Sequence, residues 1–342
     1  MVFLFKQGKE VKTGMESYRP PYEISDRCAN LLSAISEKLG RLNITNLSGK
    51  PLLRKISRIS SVYSSLKIEA NSLPQDKVRA ILDGKPVIGP VDEIHEVENA
   101  FRAYEKIDDF NPFSLSDVKR MHALLTDGLC PDAGEFRRGR EGVFSGDICI
   151  YMAPEPQQVP VLMDALLHWM NAAKGIVHPA IIACIAHYEL VFIHPFSDGN
   201  GRLARLWQMA ILATWNPQFR FIPIENSIRQ HQQAYYNVID RCNHADTITE
   251  FLEFMLSMMD EAMEDAVRRT EQITAATDCE LRLLNVMEYG HEYSSAELQK
   301  LLGLKSRDTL RDHYLRPAIA DGIIRMKYPD APANRNQRYS RN

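Results

Sequence analysis

The sequence predicts a mainly α-helical protein, with a helical bundle that carries one small β-hairpin and a smaller C-terminal unit of helices and a β-wing. Three observations support this. Apolar residues recur three and four positions apart along most of the 342 residues, the period of an amphipathic helix. Before residue 270, turn-forming residues flank one short apolar run, Ile148 to Tyr151, which reads as a small hairpin or flap within about 134–154. The charge balance then changes. Residues 1–278 carry 30 Lys+Arg against 36 Asp+Glu, whereas residues 279–342 carry 11 against 8.

The elements follow in order. Residues 1 to about 20 read as an irregular lead-in ending at Pro20-Pro21, and Ile24 to Leu42 as a helix capped by Ser25 or Asp26. Leu52 to Asn71 and Val91 to Ile107 read as helices, separated by the turn-rich Gly84 to Pro90. Pro112-Phe113-Ser114 opens a helix towards Leu125, and Val159 to Ala172 is another. Pro179 suits the first position of a helix reaching Ile193. Leu203 to Trp215 and Ala245 to Arg269 complete the bundle. Ser294 with Glu297 forms a capping box for a short helix ending at Gly303, and Ser306 caps a second that stops near Gly322. Strands at Ile323 to Tyr328 and Gln337 to Ser340 then make a winged helix.

Composition excludes several classes. Hydrophobic content of 45% and charged content of 25% are those of a globular chain. A net charge of -3 argues against a basic nucleic-acid coat, though not against one basic unit. Apolar stretches such as Ala180 to Ala186 fall short of the ~20 residues that span a bilayer. The N-terminal apolar run breaks at Lys6, so a cytoplasmic protein with no membrane partner is expected. Cys28, Cys130, Cys149, Cys184, Cys242 and Cys279 contain no C-x-x-C pair, which disfavours a disulfide framework or zinc site. Cys149, in the flap, is open to a packing or a redox role.

The chemistry concentrates in His194-Pro195-Phe196-Ser197-Asp198-Gly199-Asn200-Gly201-Arg202-Leu203-Ala204-Arg205. Asp-Gly-Asn-Gly favours a tight turn, and the N–H groups of its glycines and of the following helix would converge on an anion. Arg202 and Arg205, three apart on one face, can clamp phosphate oxygens. Asp198 is a hard oxygen ligand suited to Mg²⁺ beside phosphate, and His194 can act as a general base for a hydroxyl. His187, seven residues earlier on an apolar helix, reads as a core histidine.

This segment resembles the Fic signature H-x-F-x-[DE]-G-N-G-R-x-x-R at every specified position. Ala186 to Ile193 is similar to that family's central helix, and Gly134-Glu135-Phe136-Arg137 to the region before its target-docking flap. The resemblance implies AMP transfer from ATP to a Ser, Thr or Tyr hydroxyl of a target protein, possibly of the chain itself. His194 would deprotonate the hydroxyl and Asp198 would hold Mg²⁺. Gly199, Asn200 and Gly201 would form the anion hole, Arg202 and Arg205 would hold the β- and γ-phosphates, and Phe196 would anchor the loop. The family's kinase branch has Lys where this chain has Gly201, which favours AMP transfer. Tyr235, Tyr236 and Asn243 resemble a nucleoside pocket, with a packed tyrosine pair as the alternative.

Ser65-Leu66-Lys67-Ile68-Glu69-Ala70-Asn71 resembles the family's inhibitory helix, [ST]-x-x-x-E-[GN], matching at Ser65 and Glu69 but placing Ala70 where Gly or Asn is expected. Glu69 would pair with Arg205 and deny it to the γ-phosphate; the alternative is an ordinary exposed glutamate. In some relatives this glutamate also supports AMP removal. Residues 1–110 would then carry the inhibitory helix (about 52–71), 111–270 the catalytic core with its flap at 142–154, and 279–342 the winged helix. That last unit, with Arg307, Arg311, Arg325, Lys327, Arg335, Arg338 and Arg341, reads as a DNA-binding or protein-interaction module. A DNA-binding regulator with a nucleotide-sensing core is therefore the rival to the enzyme. The resemblance also implies a homodimer.

Overall fold

The computed structural model describes residues 18–45, 51–145, 148–275, 277–287 and 291–341. The lead-in up to residue 17 lies outside the described residues, as does the Cys149 side chain. The bundle comprises α1 (Asp26–Thr45), α2 (Pro51–Ile68), α3 (Gln75–Leu82), α4 (Val91–Glu105), α5 (Leu115–Leu125), the hairpin β1 (Gly142–Ser145) and β2 (Ile148–Met152), α6 (Val159–Ala173), α7 (Pro179–Ile193), α8 (Asn200–Trp215), α9 (Ile224–Gln230), α10 (Gln232–His244) and α11 (Thr249–Ala275). The C-terminal unit comprises α12 (Asp278–Val286), α13 (Ser295–Leu301), α14 (Arg307–Leu310), α15 (Arg316–Ala320), β3 (Ile324–Met326) and β4 (Tyr339–Arg341). Among the described residues no helix is long and apolar enough to cross a membrane.

The bundle is organised around α7. Its sequence, PAIIACIAHYELVFI, has no polar stripe, and a helix apolar all round must be enclosed. It lies along α8 and against α6 and α11. Pro179 opens it and His178 Nδ1 accepts the Ala180 N–H at 3.2 Å, which satisfies one orphan donor of the first turn. α1 lies along α11, joined at the surface by Lys38–Asp260 at 2.8 Å and Arg41–Glu271 at 2.7 Å. Ser25 Oγ accepts the Cys28 N–H at 3.1 Å, so serine is the cap of α1. α2, which carries the Ser65–Glu69 segment, rests on α9 and α4 and touches α8.

The antiparallel hairpin pairs Gly142 with Met152, Val143 with Tyr151, Phe144 with Cys149 and Ser145 with Ile148, with a bulge between Val143 and Phe144. The Tyr151 hydroxyl donates to the Phe192 carbonyl at 2.7 Å, which seats the hairpin on the end of α7.

The C-terminal unit has a separate core that includes Leu283, Leu298, Leu310, Tyr314, Ala318 and Ile324. The Ser294–Glu297 capping box forms, and a second, Thr277–Glu280, opens α12. The helix capped by Ser306 is one helical run with a π segment at Arg311–Leu315. Pro317, two residues beyond it, has no N–H to offer the carbonyl four residues earlier, a cause of such a widened turn. β3 and β4 pair Ile324 with Arg341 and Met326 with Tyr339, shorter strands than the sequence suggested.

α7 also encloses Glu189. Burial pushes its carboxyl up to about 7, against the Tyr18 hydrogen bond, and its Oε2 has no partner among the described residues. An unfolded glutamate titrates near ~4.3, so the folded chain binds the extra proton and stability falls as pH rises from there to about 7. Glu189→Gln is expected to raise the melting temperature more at pH 8 than at pH 5, which paired thermal melts would measure.

Candidate functional site

The His194–Arg205 segment is the connection from α7 to α8, and the structure brings its functional groups together around the first turn of α8. Gly199 caps that helix in the left-handed region, at φ 77°. The first helical bond runs from Leu203 N–H to the Gly199 carbonyl at 2.9 Å, so Asn200, Gly201 and Arg202 present the orphan N–H groups of a helix start. The Asn200 side chain closes the loop, accepting from Phe196 N–H at 3.0 Å and donating to the Phe196 carbonyl at 2.8 Å. Phe196 is fully buried.

His194 caps α7 in the left-handed conformation, φ 50° and ψ 59°, a strained setting for a residue with a side chain. Its Nδ1 contacts the Val191 carbonyl at 3.3 Å. That contact requires the proton on Nδ1 and leaves Nε2 as the acceptor. Burial lowers its pKa, with the Val191 contact acting the other way, so it is neutral at pH 7.

Two residues hold this loop by their contacts to the backbone. His122 on α5 stacks on Phe196, with ring centroids 3.7 Å apart and planes 8° from parallel. Its Nδ1 accepts the Gly134 N–H at 2.9 Å, which leaves Nε2–H to donate to the Asp198 carbonyl at 2.9 Å. Arg137 is buried and donates only to carbonyls among its described hydrogen bonds: His194 at 2.6 Å, Gly139 at 2.8 Å, Pro154 at 2.5 Å and Ile193 at 3.4 Å. One guanidinium thus ties the base of the hairpin to the end of α7. The Gly134–Arg137 segment was visible in sequence; His122 was not, because nothing local marks a histidine whose partners are backbone atoms elsewhere.

Arg205 is almost wholly enclosed, its side chain 1% exposed. Nε donates to Ser65 Oγ at 3.0 Å, and Nη2 donates to the Ser65 carbonyl at 3.0 Å and to Glu69 Oε1 at 2.7 Å. Burial works against its charge, but Glu69 together with Tyr235 and Tyr104 outweighs it and its pKa is raised. Glu69 also lies over the start of α8. A Cβ placed on Gly201 would come within 2.3 Å of Glu69 Oε1. A carboxylate therefore lies beside the N–H groups of this helix start, and a residue larger than glycine at 201 would have to displace it. Arg202 donates from Nη2 to Asp198 Oδ2 at 2.6 Å and from Nη1 to Glu96 Oε1 at 2.9 Å. Glu96 was not anticipated from the sequence.

The aromatic candidates separate. Tyr235 is buried, packs towards Phe251, and its hydroxyl lies 2.8 Å from His187 Nε2. His187 also contacts Gln208, and burial pushes its pKa down to about 3, so it is a neutral core histidine. Tyr236, one position on, is exposed and donates to the Ile68 carbonyl at 3.1 Å, beside the end of α2. Asn243 Oδ1 accepts from the Tyr188 hydroxyl at 2.8 Å, and the described contacts do not join it to either Tyr235 or Tyr236.

These features define a helical protein with a histidine and a glycine-rich turn at a helix start, whose buried arginine is paired with a carboxylate from the end of α2. Residues 112–212 match the family model Fic/DOC, and residues 281–340 match the model for the C-terminal domain of filamentation induced by cAMP protein Fic-like. The chain is 40% identical to a Fic family protein of Desulfovibrio desulfuricans G20, whose crystal structure superposes with a TM-score of 0.71 over 95% of this chain and 98% of that one. The chain belongs to the Fic family. It shares its fold with Fic-1 (residues 134–508) of C. elegans, at 23% identity and a TM-score of 0.57 over 72% and 73% of the two chains. It is 28% identical to protein adenylyltransferase Fic of Aedes aegypti over 262 residues, 74% of this chain and 49% of that one. The corresponding Drosophila melanogaster protein is 28% identical over 254 residues, covering 71% and 47%. The chain spans about half the length of the curated relatives it matches.

The end of α2 explains the departure at position 70. Asn71 N–H reaches back to the Leu66 carbonyl at 3.1 Å, and Ala70 lies at φ 65°, the left-handed position that closes a Schellman turn. An L-residue with a Cβ pays about 1–2 kcal/mol there. Ala70→Gly is expected to stabilise the protein by about 1 kcal/mol, read as a higher urea midpoint with unchanged slope.

Proposed function

We propose that this chain is an autoinhibited protein adenylyltransferase, which transfers AMP from ATP to a hydroxyl of a protein. The observation that carries the reading is Glu69 seated on Arg205 over Gly201, the place a phosphate would take. Once Glu69 withdraws, Arg205 would meet the γ-phosphate, Arg202 the β-phosphate, and the N–H groups at 199–201 the oxygens between them. Nucleotidyl transfer needs chiefly positioning and charge stabilisation, which such donors supply. His194 Nε2 would take the proton of the attacking hydroxyl. That oxygen bonds to the α-phosphorus, the bond to the bridging oxygen of the β-phosphate breaks, and pyrophosphate leaves. Tyr236, at the mouth, is better placed than the buried Tyr235 to meet a base.

Asp198 supplies one carboxylate, its side chain 61% exposed, and no cluster of three metal-binding side chains occurs among the described residues. A single carboxylate fits Mg²⁺ that arrives on nucleotide phosphates, and Asp198 would hold it there to neutralise phosphate charge. The target would add a strand to the hairpin at 142–154, where main-chain pairing places a hydroxyl near His194.

The C-terminal unit reads better as a protein-recruiting module than as a DNA reader. Arg311 pairs with Asp308 and Asp312, Lys327 with Glu292 and Arg338 with Glu297, while Arg341 is buried on the Leu284 carbonyl. Much of the basic face is neutralised internally. A gel shift that weakens with salt would reverse this reading.

Incubation with ATP labelled at the α- or γ-phosphate, with Mg²⁺ and cell lysate, tests the proposal. Glu69→Gly is expected to raise protein-bound α-label on the order of 100-fold, and His194→Ala in that background to abolish it. Transfer of γ-label alone would make the protein a kinase instead. The acid limb of kcat/KM in the Glu69→Gly variant is expected below the ordinary histidine value of ~6.5, because His194 must be neutral to act and burial lowers its pKa.

A further inference from the structure

Arg202 and Arg205 lie one helical turn apart on α8, and each meets a carboxylate from outside that helix. The two carboxylates are held differently. Glu69 projects from the end of α2 over Gly201, directly in the cradle. Glu96 projects from α4 and lies on Arg202 Nη1 at 2.9 Å, while its other oxygen accepts from Asn71 Nδ2 at 2.8 Å. Asn71 is itself buried. Its amide also donates to the Glu93 carbonyl at 3.2 Å, and its Oδ1 accepts the Leu73 N–H at 3.1 Å. Glu96 is thus bound at both oxygens, by a guanidinium 4% exposed and by an amide at the foot of α2.

The other side of Arg202 is held more loosely. Nη2 is on Asp198, whose side chain is 61% exposed, against 22% for Glu96. A guanidinium is a planar fork whose donor directions are fixed together, so a partner that holds one nitrogen orients the rest. If Asp198 turns to a metal on the nucleotide, Nη2 becomes available in the cradle while Nη1 stays fixed.

We propose that Glu96 is a positioning residue for Arg202. It holds the guanidinium so that Nη2 faces the β-phosphate, and through Asn71 it anchors the end of α2 without using Glu69. The inference rests on the reading of Arg202 as the β-phosphate group. It divides the two carboxylates by role: Glu69 leaves when nucleotide binds, whereas Glu96 remains. Release of inhibition is then a local rearrangement at Glu69 and Ala70, between the fixed points Ser65 and Asn71, and does not require α2 to undock.

The test compares AMP, which has no β-phosphate, with ADP, by calorimetry in Mg²⁺ on the full chain. Glu69→Gly and Glu69→Gly/Glu96→Gln are the two proteins. The second change is expected to weaken ADP about 10-fold, the scale of one charge-assisted contact, and to leave AMP within about 2-fold. A merely structural role would weaken both nucleotides alike, and that result, or unchanged ADP affinity, overturns the inference. If the Glu69→Gly protein itself binds neither nucleotide, the reading of the cradle fails and the Glu96 inference fails with it. Should the double variant not fold, Glu69→Gly/Glu96→Asp, which keeps the charge and withdraws it by one methylene, carries the same comparison.

Discussion

A guanidinium removed from water must find its partners inside the protein, because a buried charge left unpaired costs several kcal/mol. Arg205 sets this requirement at the centre of the molecule, and α2 meets it with the Ser65 hydroxyl, the Ser65 carbonyl and the Glu69 carboxylate. The demand explains why α2 is drawn onto α8. A Cβ at position 201 would fall within 2.3 Å of Glu69 Oε1, so a larger residue there would have to move that carboxylate. The arrangement is stable because the buried arginine has every one of these partners within reach.

Around that pair the scaffold is built for fixed geometry. α7 is enclosed on all sides and ends abruptly in the strained His194. The loop beyond is held by Asn200 from within, by His122 through the Asp198 carbonyl, and by Arg137 through the carbonyls of Ile193 and His194. Most of these contacts go to backbone, which fixes the loop's path and leaves the charged side chains to the cradle.

What the sequence revealed, and what it concealed, follows from the range of each interaction. The His194–Arg205 cradle was legible because its parts lie within one turn and one helix start, where spacing determines geometry. Glu69 was singled out only through the resemblance of Ser65–Asn71 to the family's inhibitory-helix motif, since its partner Arg205 lies 136 residues away. Glu96 and His122 were not, since their partners on the loop are 106 and 76 residues distant and no local pattern marks them. Adjacent tyrosines posed a different problem. The sequence reading assigned no helix to Tyr235 and Tyr236, and the phase of α10, which buries the first and exposes the second, depends on where that helix meets α11. The short α3, α9 and α12 escaped because so few residues give too few turns to establish a period.

The two hydrophobic cores have no residue in common. Among the described residues each core is completed by side chains of its own unit. In evolutionary terms the C-terminal unit is portable: gene fusion could replace it without repacking the bundle's described core.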